Sequence, residues 1–166
     1  MRITIALILN GNKRCSTTID RVTNLNANDL MSPQVIVAKE NTNAEQISTR
    51  LLAGEFNGVP VVDDNGSVVG VVTALDILRA SQEGSMKLNT MMAKDIMTPN
   101  PSVVKKDTPI DEIISIMVQK EIVLVPVVED DNSKKLVGVV ARLDILREKL
   151  NEGFLTIGKR EGVSRT

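Results

Sequence analysis

Histidine, tryptophan and tyrosine are all missing from this chain of 166 residues, and it has a single cysteine, Cys15. Without histidine there is no imidazole to ligate a metal or to act as a general base near neutral pH. One thiol cannot form an intrachain disulfide, so a reducing, cytoplasmic location is expected. The sequence also has no P-loop, metal-ligand cluster or nucleophile–base pair. We therefore predict that the chain is not an enzyme and has no catalytic or metal-binding residues.

Excess charge of either sign is missing too. The chain has 20 Lys and Arg against 21 Asp and Glu, and only two aromatic residues, both Phe. A net charge of −1 gives no general attraction to nucleic acid or to an anionic membrane, and without aromatic side chains there is no platform on which bases could stack. The apolar run at 3–9 is too short to span a bilayer. We predict that this run is a strand ending at Asn10–Gly11, and that neither nucleic acid nor membrane is a partner.

What the chain does have is a duplicated pattern. The segment DLMSP at 29–33 returns as DIMTP at 95–99, VPVVD at 59–63 returns as VPVVE at 125–129, and GVVTALDIL at 70–78 returns as GVVARLDIL at 138–146. The spacing between copies grows by two residues in the predicted loop at 129–135, where an insertion costs little. The predicted organisation is an N-terminal extension 1–28, repeat one 29–82, a linker 83–94, repeat two 95–150 and a flexible tail 151–166.

Each repeat predicts the element order β-α-β-β-α. Apolar residues at helical spacing mark a central helix, with Ile47, Leu51 and Leu52 in repeat one and Ile110, Ile113, Ile114 and Met117 in repeat two. Thr108 is expected to be the N-cap of the second of these helices, with Pro109 in its first turn. The predicted strands are 35–37, 59–62 and 68–72 in repeat one, and 102–104, 125–128 and 136–140 in repeat two. The closing helices carry Leu75, Ile77 and Leu78, and then Leu143, Ile145 and Leu146.

A unit of under about 70 residues buries little apolar surface on its own. The hydrophobic content of 42% is enough for a core of Ile, Val, Leu and Met. We therefore expect an α/β (α+β) fold in which the two repeats pack sheet to sheet with pseudo-two-fold symmetry. Such packing leaves a cleft between the repeats, which is where small ligands commonly bind.

The ordered, doubled motifs resemble the CBS (cystathionine β-synthase) domain pair, or Bateman module, over about residues 28–150. The resemblance implies a β-α-β-β-α fold in each repeat, no required cofactor, and up to two sites for adenosine compounds such as AMP, ADP, ATP or S-adenosylmethionine. It also implies a regulatory sensor that forms a homodimer. Because the sequence contains no attached catalytic or DNA-binding domain, a sensor of this kind would act on a separate, regulated protein.

By this resemblance, each site joins the closing helix of one repeat to the first strands of the other. Asp76 would accept the ribose hydroxyls in site one, and the Thr73 hydroxyl with the helix N-terminus would receive a phosphate. The implied residues of site one are Thr73, Asp76, Thr98, Ser102, Val103, Val123 and Leu124. Those of site two are Ser32, Val35, Asn57, Gly58, Ala141, Arg142 and Asp144.

The two sites differ where Thr73 is replaced by Ala141. One lost hydrogen bond of about 1.4 kcal/mol weakens binding about tenfold, so we hypothesise that site one is the tighter. The order would reverse if Arg142 reached a phosphate or if the Leu124 side chain filled site one. Thr73 and Asp76 also have the spacing of a capping box, so the sequence alone allows a purely structural role as well as ligand binding.

Three functions remain open besides nucleotide sensing. The chain could be a scaffold that dimerises with both sites empty, a sensor of S-adenosylmethionine, or a hydrolase of nucleotides. The complete motif around Asp76 favours a ligand, whereas the shortage of cationic residues in site one favours the scaffold. The missing catalytic constellation stands against the hydrolase.

Overall fold

The structure, a computed structural model, describes residues 25–54, 56–82 and 87–158, with side chains as far as residue 150. The predicted N-terminal strand at 3–9 and Cys15 lie outside the described residues. The described elements form two small three- or four-stranded sheets with helices packed on them, so the predicted α/β fold is confirmed.

Repeat one begins with helix α1, Ala27–Leu30, followed by strand β1, Ala38–Lys39, and helix α2, Ala44–Gly54. Strands β2, Gly58–Val62, and β3, Val68–Thr73, form an antiparallel hairpin, and helix α3, Ala74–Gln82, closes the repeat. Strand β1 is parallel to β2, as expected for strands joined through a helix.

Repeat two follows the same plan. It contains helix α4, Ala93–Ile96, strands β4, Thr98–Pro99, and β5, Val104–Lys105, and helix α5, Ile110–Gln119. The hairpin of β6, Leu124–Val128, and β7, Leu136–Ala141, leads into helix α6, Arg142–Gly158. Strand β5 is parallel to β6.

The core has one part in each repeat and a smaller part between them. Ile47, Leu51 and Ile77 are buried against the first sheet. Their counterparts Ile113 and Ile145 are buried against the second. A third cluster contains Val62, Val68 and Val128, with Val37, Val103 and Leu136 packed on it, and so joins the two sheets. The hairpin turns also meet, because Ser67 bridges to Lys135. The sheets therefore pack on each other as the sequence predicts.

The opening segments of the two repeats are exchanged. Strand β4 pairs with β3 of repeat one, and the Met97 side chain lies against Gly70. In the other direction Ser32 bridges to Val139, and the Met31 sulfur lies 2.6 Å from where a Cβ on Gly138 would be. This explains why both copies of the motif have glycine at these positions, Gly70 and Gly138, since only glycine leaves room for the methionine of the other repeat.

Several details differ from the sequence prediction. The first strands lie at Ala38–Lys39 and Val104–Lys105, later than the predicted 35–37 and 102–104, because the residues before them connect the exchanged openings to the sheets. Helix α5 begins at Ile110 with Pro109 as its N-cap residue, and the Thr108 hydroxyl instead accepts a hydrogen bond from the Lys105 N–H at 3.0 Å.

Other differences concern exposure and helix length. Leu52, predicted to be in the apolar face of its helix, is 82% exposed, whereas Ile47 and Leu51 are buried. Of the six closing-helix residues predicted to be apolar markers, Ile77 and Ile145 are buried, whereas the four leucines at 75, 78, 143 and 146 are exposed. The region predicted as a flexible tail from residue 151 continues helix α6 as far as Gly158. A single interior glycine, such as the one at 153, weakens a helix by about 1 kcal/mol without ending it.

Candidate functional site

The candidate site begins where the closing helix of each repeat starts. Strand β3 ends at Thr73 and α3 begins at the next residue, so Asp76 lies in the first turn, where a carboxylate favours the positive end of the helix dipole. Strand β7 and α6 place Ala141 and Asp144 in the same way. The side chain of Asp76 is 11% exposed and that of Asp144 is 25% exposed.

At the first helix start, Thr73 and Asp76 form a complete capping box. The Thr73 N–H and hydroxyl both donate to Asp76 Oδ2, at 2.8 and 2.6 Å. The Asp76 N–H donates back to Thr73 Oγ1 at 3.3 Å. Asp76 Oδ1 lies 3.8 Å from the Arg79 guanidinium, a distance at which it keeps free lone pairs. The structural role that the spacing allowed is therefore present, and one carboxylate oxygen remains available for a ligand.

The second helix start keeps only part of this arrangement. The Ala141 N–H donates to Asp144 Oδ2 at 3.1 Å, and Arg147 contacts Oδ1 at 3.2 Å. Without a hydroxyl at residue 141, Asp144 Oδ2 accepts one hydrogen bond where Asp76 Oδ2 accepts two. Asp144 is accordingly the more exposed of the two carboxylates.

The remaining predicted residues fall into two groups. Gly58 pairs with Thr73, the Asn57 carbonyl accepts the Ala74 N–H at 3.0 Å, and Thr98 pairs with Val71, two residues before Thr73. The same relations hold in repeat two: Leu124 pairs with Ala141, the Val123 carbonyl accepts the Arg142 N–H at 3.0 Å, and Ser32 bridges to Val139. These residues all adjoin a helix start.

The second group lies further from the helix starts. Val103 packs in the valine cluster between the sheets, and Ser102 accepts a hydrogen bond from Lys120. Val35 is half-buried in the segment before β1. The hydrogen bonds and core contacts of the described residues join none of these three to Thr73, Asp76 or their counterparts.

The two helix starts meet at a contact between Gly58 and Leu124, which occupy equivalent positions at the first residues of β2 and β6. A Cβ atom placed on Gly58 would lie 2.8 Å from Leu124 Cδ2 and 3.3 Å from Thr73 Cγ2. Leu124 is only 8% exposed. The residues predicted for site one and for site two are therefore in contact with each other across the repeats.

Two cations near the predicted sites were missed by the sequence prediction. Lys120 Nζ, at the C-terminal end of α5, donates to Ser102 Oγ at 2.7 Å. Arg50 of α2 donates to the Val37 carbonyl at 2.7 Å. Neither residue recurs in the other repeat, where the equivalent positions are Gly54 and Ile116, so the repeat comparison that revealed the other site residues gave no signal for them.

The opposite end of each hairpin carries a charged turn. The Asp63 carboxylate accepts the backbone N–H groups of Asn65 and Ser67, and the hydrogen bond from Ser67 is the main cause that lowers its pKa. The pKa of Asp130 is lowered chiefly by its side-chain hydrogen bond with Ser133. A depression beside the first turn is lined by Lys39, Glu40, Asn41, Val62, Asp63, Asp64 and Lys94. Within it Lys39 pairs with Asp64 at 3.6 Å, so part of its charge is already satisfied.

Over residues 25–54, 56–82 and 87–158, no helix is both long and apolar enough to cross a bilayer. The same described residues include no grouping of three or more Cys, Asp or Glu side chains that could hold a metal ion.

The paired repeats, exchanged openings and matching helix starts define a tandem α/β module, and comparison with known proteins gives its family. The model of the CBS domain matches residues 27–83 and 93–151, so the chain belongs to the CBS domain family. Among curated proteins, L-aspartate semialdehyde sulfurtransferase of Methanocaldococcus jannaschii is 32% identical over 119 residues, covering 72% of this chain and 22% of that protein. The chloroplastic CBS domain-containing protein CBSX2 of Arabidopsis thaliana is 27% identical, covering 74% of this chain and 62% of that protein.

Two solved structures are similar over the whole paired module. The CBS domain pair of protein MJ0100 in complex with 5′-methylthioadenosine and S-adenosyl-L-methionine has a TM-score of 0.69 and 30% identity, covering 77% of this chain and 98% of that chain. CBSX2 in complex with AMP has a TM-score of 0.65 and 27% identity, covering 76% of this chain and 97% of that chain. The chain is thus similar to nearly all of these domain pairs but spans only 22% of the sulfurtransferase.

Proposed function

We propose that this chain is a regulatory module that binds adenosine compounds of the AMP, ADP and ATP class between its two CBS repeats and transmits their binding to a separate protein. The observation that carries the proposal is the pair of matching helix starts. Each presents an aspartate, largely shielded from solvent, in the first turn of a helix, and both adjoin the contact between the repeats.

The chemistry of these helix starts suits a nucleotide. From the described residues Asp76 Oδ1 accepts no hydrogen bond, and Asp144 accepts only one on each oxygen, so both carboxylates keep lone pairs that can accept the 2′- and 3′-hydroxyls of a ribose. A hydrogen bond to a charged group contributes about 1.5–3 kcal/mol, so a gripped diol would be a main determinant of affinity. The helix N-terminus favours an anionic phosphate. Support also comes from the adenosine ligands in the two similar domain pairs.

S-adenosylmethionine is the main alternative ligand within the same function. It shares the ribose and adenine but lacks a phosphate, and it is bound by the domain pair of protein MJ0100. A site that depends chiefly on the aspartate would accept both compounds, whereas one that depends on the helix N-terminus would prefer the nucleotides.

A scaffold with empty sites is the second candidate function. It is favoured by the complete capping box at Asp76, whose hydrogen bonds are satisfied without any ligand. Such a module would contribute surface rather than sensing, and its stability would not respond to adenosine compounds.

A homodimer is part of both candidate functions. The closing helices expose leucines in matching positions of the two repeats, at Leu75 and Leu78 and at Leu143 and Leu146. The central helices add Leu52 and Val118, which are also equivalent and exposed. Because the set repeats with the pseudo-two-fold symmetry, it is suited to pack against the same face of a second copy.

One experiment separates sensing from scaffolding. The melting temperature of the full chain is measured with AMP, ADP, ATP and S-adenosylmethionine, with GMP as the matched control. A ligand at 100 times its Kd stabilises the folded chain by about 2.7 kcal/mol, which is a readily measured increase. An increase with at least one adenosine compound and not with GMP supports sensing. Unchanged melting with every adenosine compound at saturating concentration supports the scaffold.

A further inference from the structure

The predicted sites are built as near copies, but the two residues at their common boundary differ greatly in size. Gly58 and Leu124 occupy equivalent places in repeats one and two, at the start of β2 and β6. Leu124 Cδ2 lies 2.8 Å from the position that a Cβ on Gly58 would occupy. The leucine of one repeat therefore covers the bare backbone of the glycine in the other.

This contact touches the binding machinery of both sites. On the glycine side, Gly58 belongs to predicted site two and pairs with Thr73 of site one. On the leucine side, Leu124 belongs to predicted site one and pairs with Ala141 of site two. Thr73 Cγ2 is 3.3 Å from the position of a Cβ on Gly58, so the Leu124 side chain, the Thr73 methyl group and the Gly58 backbone meet there.

We propose that Leu124 couples the two adenosine sites negatively, so that a ligand in one site weakens binding in the other. This inference rests on the proposed function and adds a regulation of the same sites. A ligand of site two that rests on Gly58 needs the face that the Leu124 side chain now covers. A ligand of site one that rests on Leu124 keeps the side chain pressed against Gly58.

The side chain has little other space to occupy. Leu124 is 8% exposed, and its neighbours on the strand, Val125 and Val127, are completely buried. A close-packed interior transmits a displaced methyl group to its neighbours and does not absorb it. Because Leu124 is itself a predicted residue of site one, a displacement from Gly58 disturbs that site, and the two ligands compete for the position of the side chain.

The coupling is measured by titrating the full chain with AMP in a calorimeter. In Asp76→Ala site one is disabled, and the Kd of site two is obtained with its neighbour empty. In the unchanged chain, where we hypothesise that site one fills first, the second binding step gives the Kd of site two with its neighbour filled. We expect the second value to be at least about fivefold weaker, the lower end of typical coupling between sites.

Thermodynamic linkage supplies an internal check. Asp144→Ala gives the Kd of site one alone. The product of the two single-site Kd values should be smaller than the product of the two stepwise dissociation constants of the unchanged chain, and the ratio of the two products is the coupling factor. If the unchanged chain binds one AMP, and each single aspartate variant still binds one, the coupling is complete. If the unchanged chain binds one AMP and Asp76→Ala binds none, site two is not a site and the inference is overturned.

The role of Leu124 is tested in the same titrations. Leu124→Val shortens the side chain while keeping a strand-forming residue, and the coupling should fall below about twofold. Leu124→Met keeps the volume and is the matched control, in which the coupling should persist. A coupling that is unchanged in Leu124→Val would overturn the inference, as would a coupling below twofold in the unchanged chain.

A second variant keeps the test informative if Leu124→Val folds poorly. Gly58→Ala adds a methyl group on the opposite side of the contact, where it meets Leu124 Cδ2. Combined with Asp76→Ala it should bind AMP at least about fivefold more weakly than Asp76→Ala alone, and equal binding would overturn the inference. Absence of binding by the unchanged chain to AMP, ADP, ATP and S-adenosylmethionine would contradict the proposed function itself.

Discussion

The starts of the two closing helices have nearly the same sequence, but the first has a complete side-chain cap and the second has only part of one. In repeat one the Thr73 hydroxyl donates to Asp76 at 2.6 Å and accepts from its N–H at 3.3 Å. In repeat two Ala141 offers Asp144 only a backbone N–H, at 3.1 Å. The hydroxyl therefore completes a helix cap, and its proton is already used before a ligand arrives.

Because of this difference, the missing hydroxyl at Ala141 is expected to cost less binding affinity than the sequence suggested. A phosphate that took the Thr73 proton would first have to replace the hydrogen bond to Asp76, so the exchange yields little net affinity. The prediction that site one is the tighter remains to be tested, but the hydroxyl is a weaker reason for it than the sequence suggested. The aspartates, which both sites share, are the stronger determinants.

Removing the aspartates gives the largest expected effect. In Asp76→Ala and Asp144→Ala, each altered site loses the acceptor for two ribose hydroxyls, at about 1.5–3 kcal/mol each. We expect AMP affinity at that site to fall by more than about a hundredfold, as measured by calorimetry. Asp95→Ala, which removes an exposed first-turn aspartate of a short helix, is the control and should leave affinity within about twofold. Retained affinity in both site variants would show that the helix starts do not bind the ribose.

The exchange of openings is a feature that both halves share, and it can be tested on either. Gly70→Val places a side chain where Met97 packs, and Gly138→Val does the same against Met31. Overpacking of this kind costs about 1–3 kcal/mol of unfolding free energy, measured by chemical denaturation.

For Gly70→Val, the methionine that packs on the glycine, Met97, provides the control. In the double variant Gly70→Val, Met97→Ala the bulk is removed from one side, so the two substitutions should couple favourably by about 1 kcal/mol or more. Additive effects would mean that Met97 does not lie on Gly70, and hence that the openings are not exchanged.

The cap itself should affect stability more than binding. Thr73→Ala removes a side-chain cap and should lower the free energy of unfolding by about 1 kcal/mol. Ala141→Thr supplies the missing cap and should raise it by a smaller amount. AMP affinity should change less than about threefold in both, with Thr73→Ser as the control that keeps the hydroxyl. A tenfold loss of affinity in Thr73→Ala would restore the hydroxyl to a direct role in binding.

The smallest expected effect compares the two hairpin turns. The folded-state pKa of Asp63 and of Asp130 is below its ordinary value, so each carboxylate stabilises the fold above that ordinary pKa, about 3.9. This contribution is lost as the pH falls through the lowered folded-state pKa. Asp63→Ala should therefore be less stable than the unchanged chain at pH 6 and should approach it at pH 2–3. A difference in melting temperature that stays constant with pH would contradict this origin.

Much of the fold could be predicted from the sequence because each motif occurs twice. The hairpins, the central helices and the sheet-to-sheet packing follow from the hydrophobic periodicity and from the repeated motifs. The exchange of openings does not follow from the repeats themselves, because the offset between DLMSP and DIMTP is the same whichever sheet each segment joins. Only the family resemblance, which placed Thr98 with Thr73 and Ser32 with Ala141, implied it. The exposure of Leu52 was missed because a helical period identifies a face but not the width that a neighbouring element covers.

The site was predictable where it repeats and not where it differs. Asp76 and Asp144 stand out because they occupy the same place in two copies. Lys120 and Arg50 have no equivalent in the other repeat, so only the structure brings them to Ser102 and Val37. The contact of Gly58 with Leu124 needed coordinates as well, since it joins two residues that are 66 positions apart in the chain.

The most direct test of the central claim, that the two aspartates hold a ribose diol, compares AMP with 2′-deoxy-AMP and 3′-deoxy-AMP by calorimetry. The two deoxy compounds keep the base and the phosphate and each lack one of the two hydroxyls. We predict that each binds at least about tenfold more weakly than AMP to the unchanged chain, and that the three ligands bind alike to the double variant Asp76→Ala, Asp144→Ala. Equal affinity of the unchanged chain for all three would contradict the account.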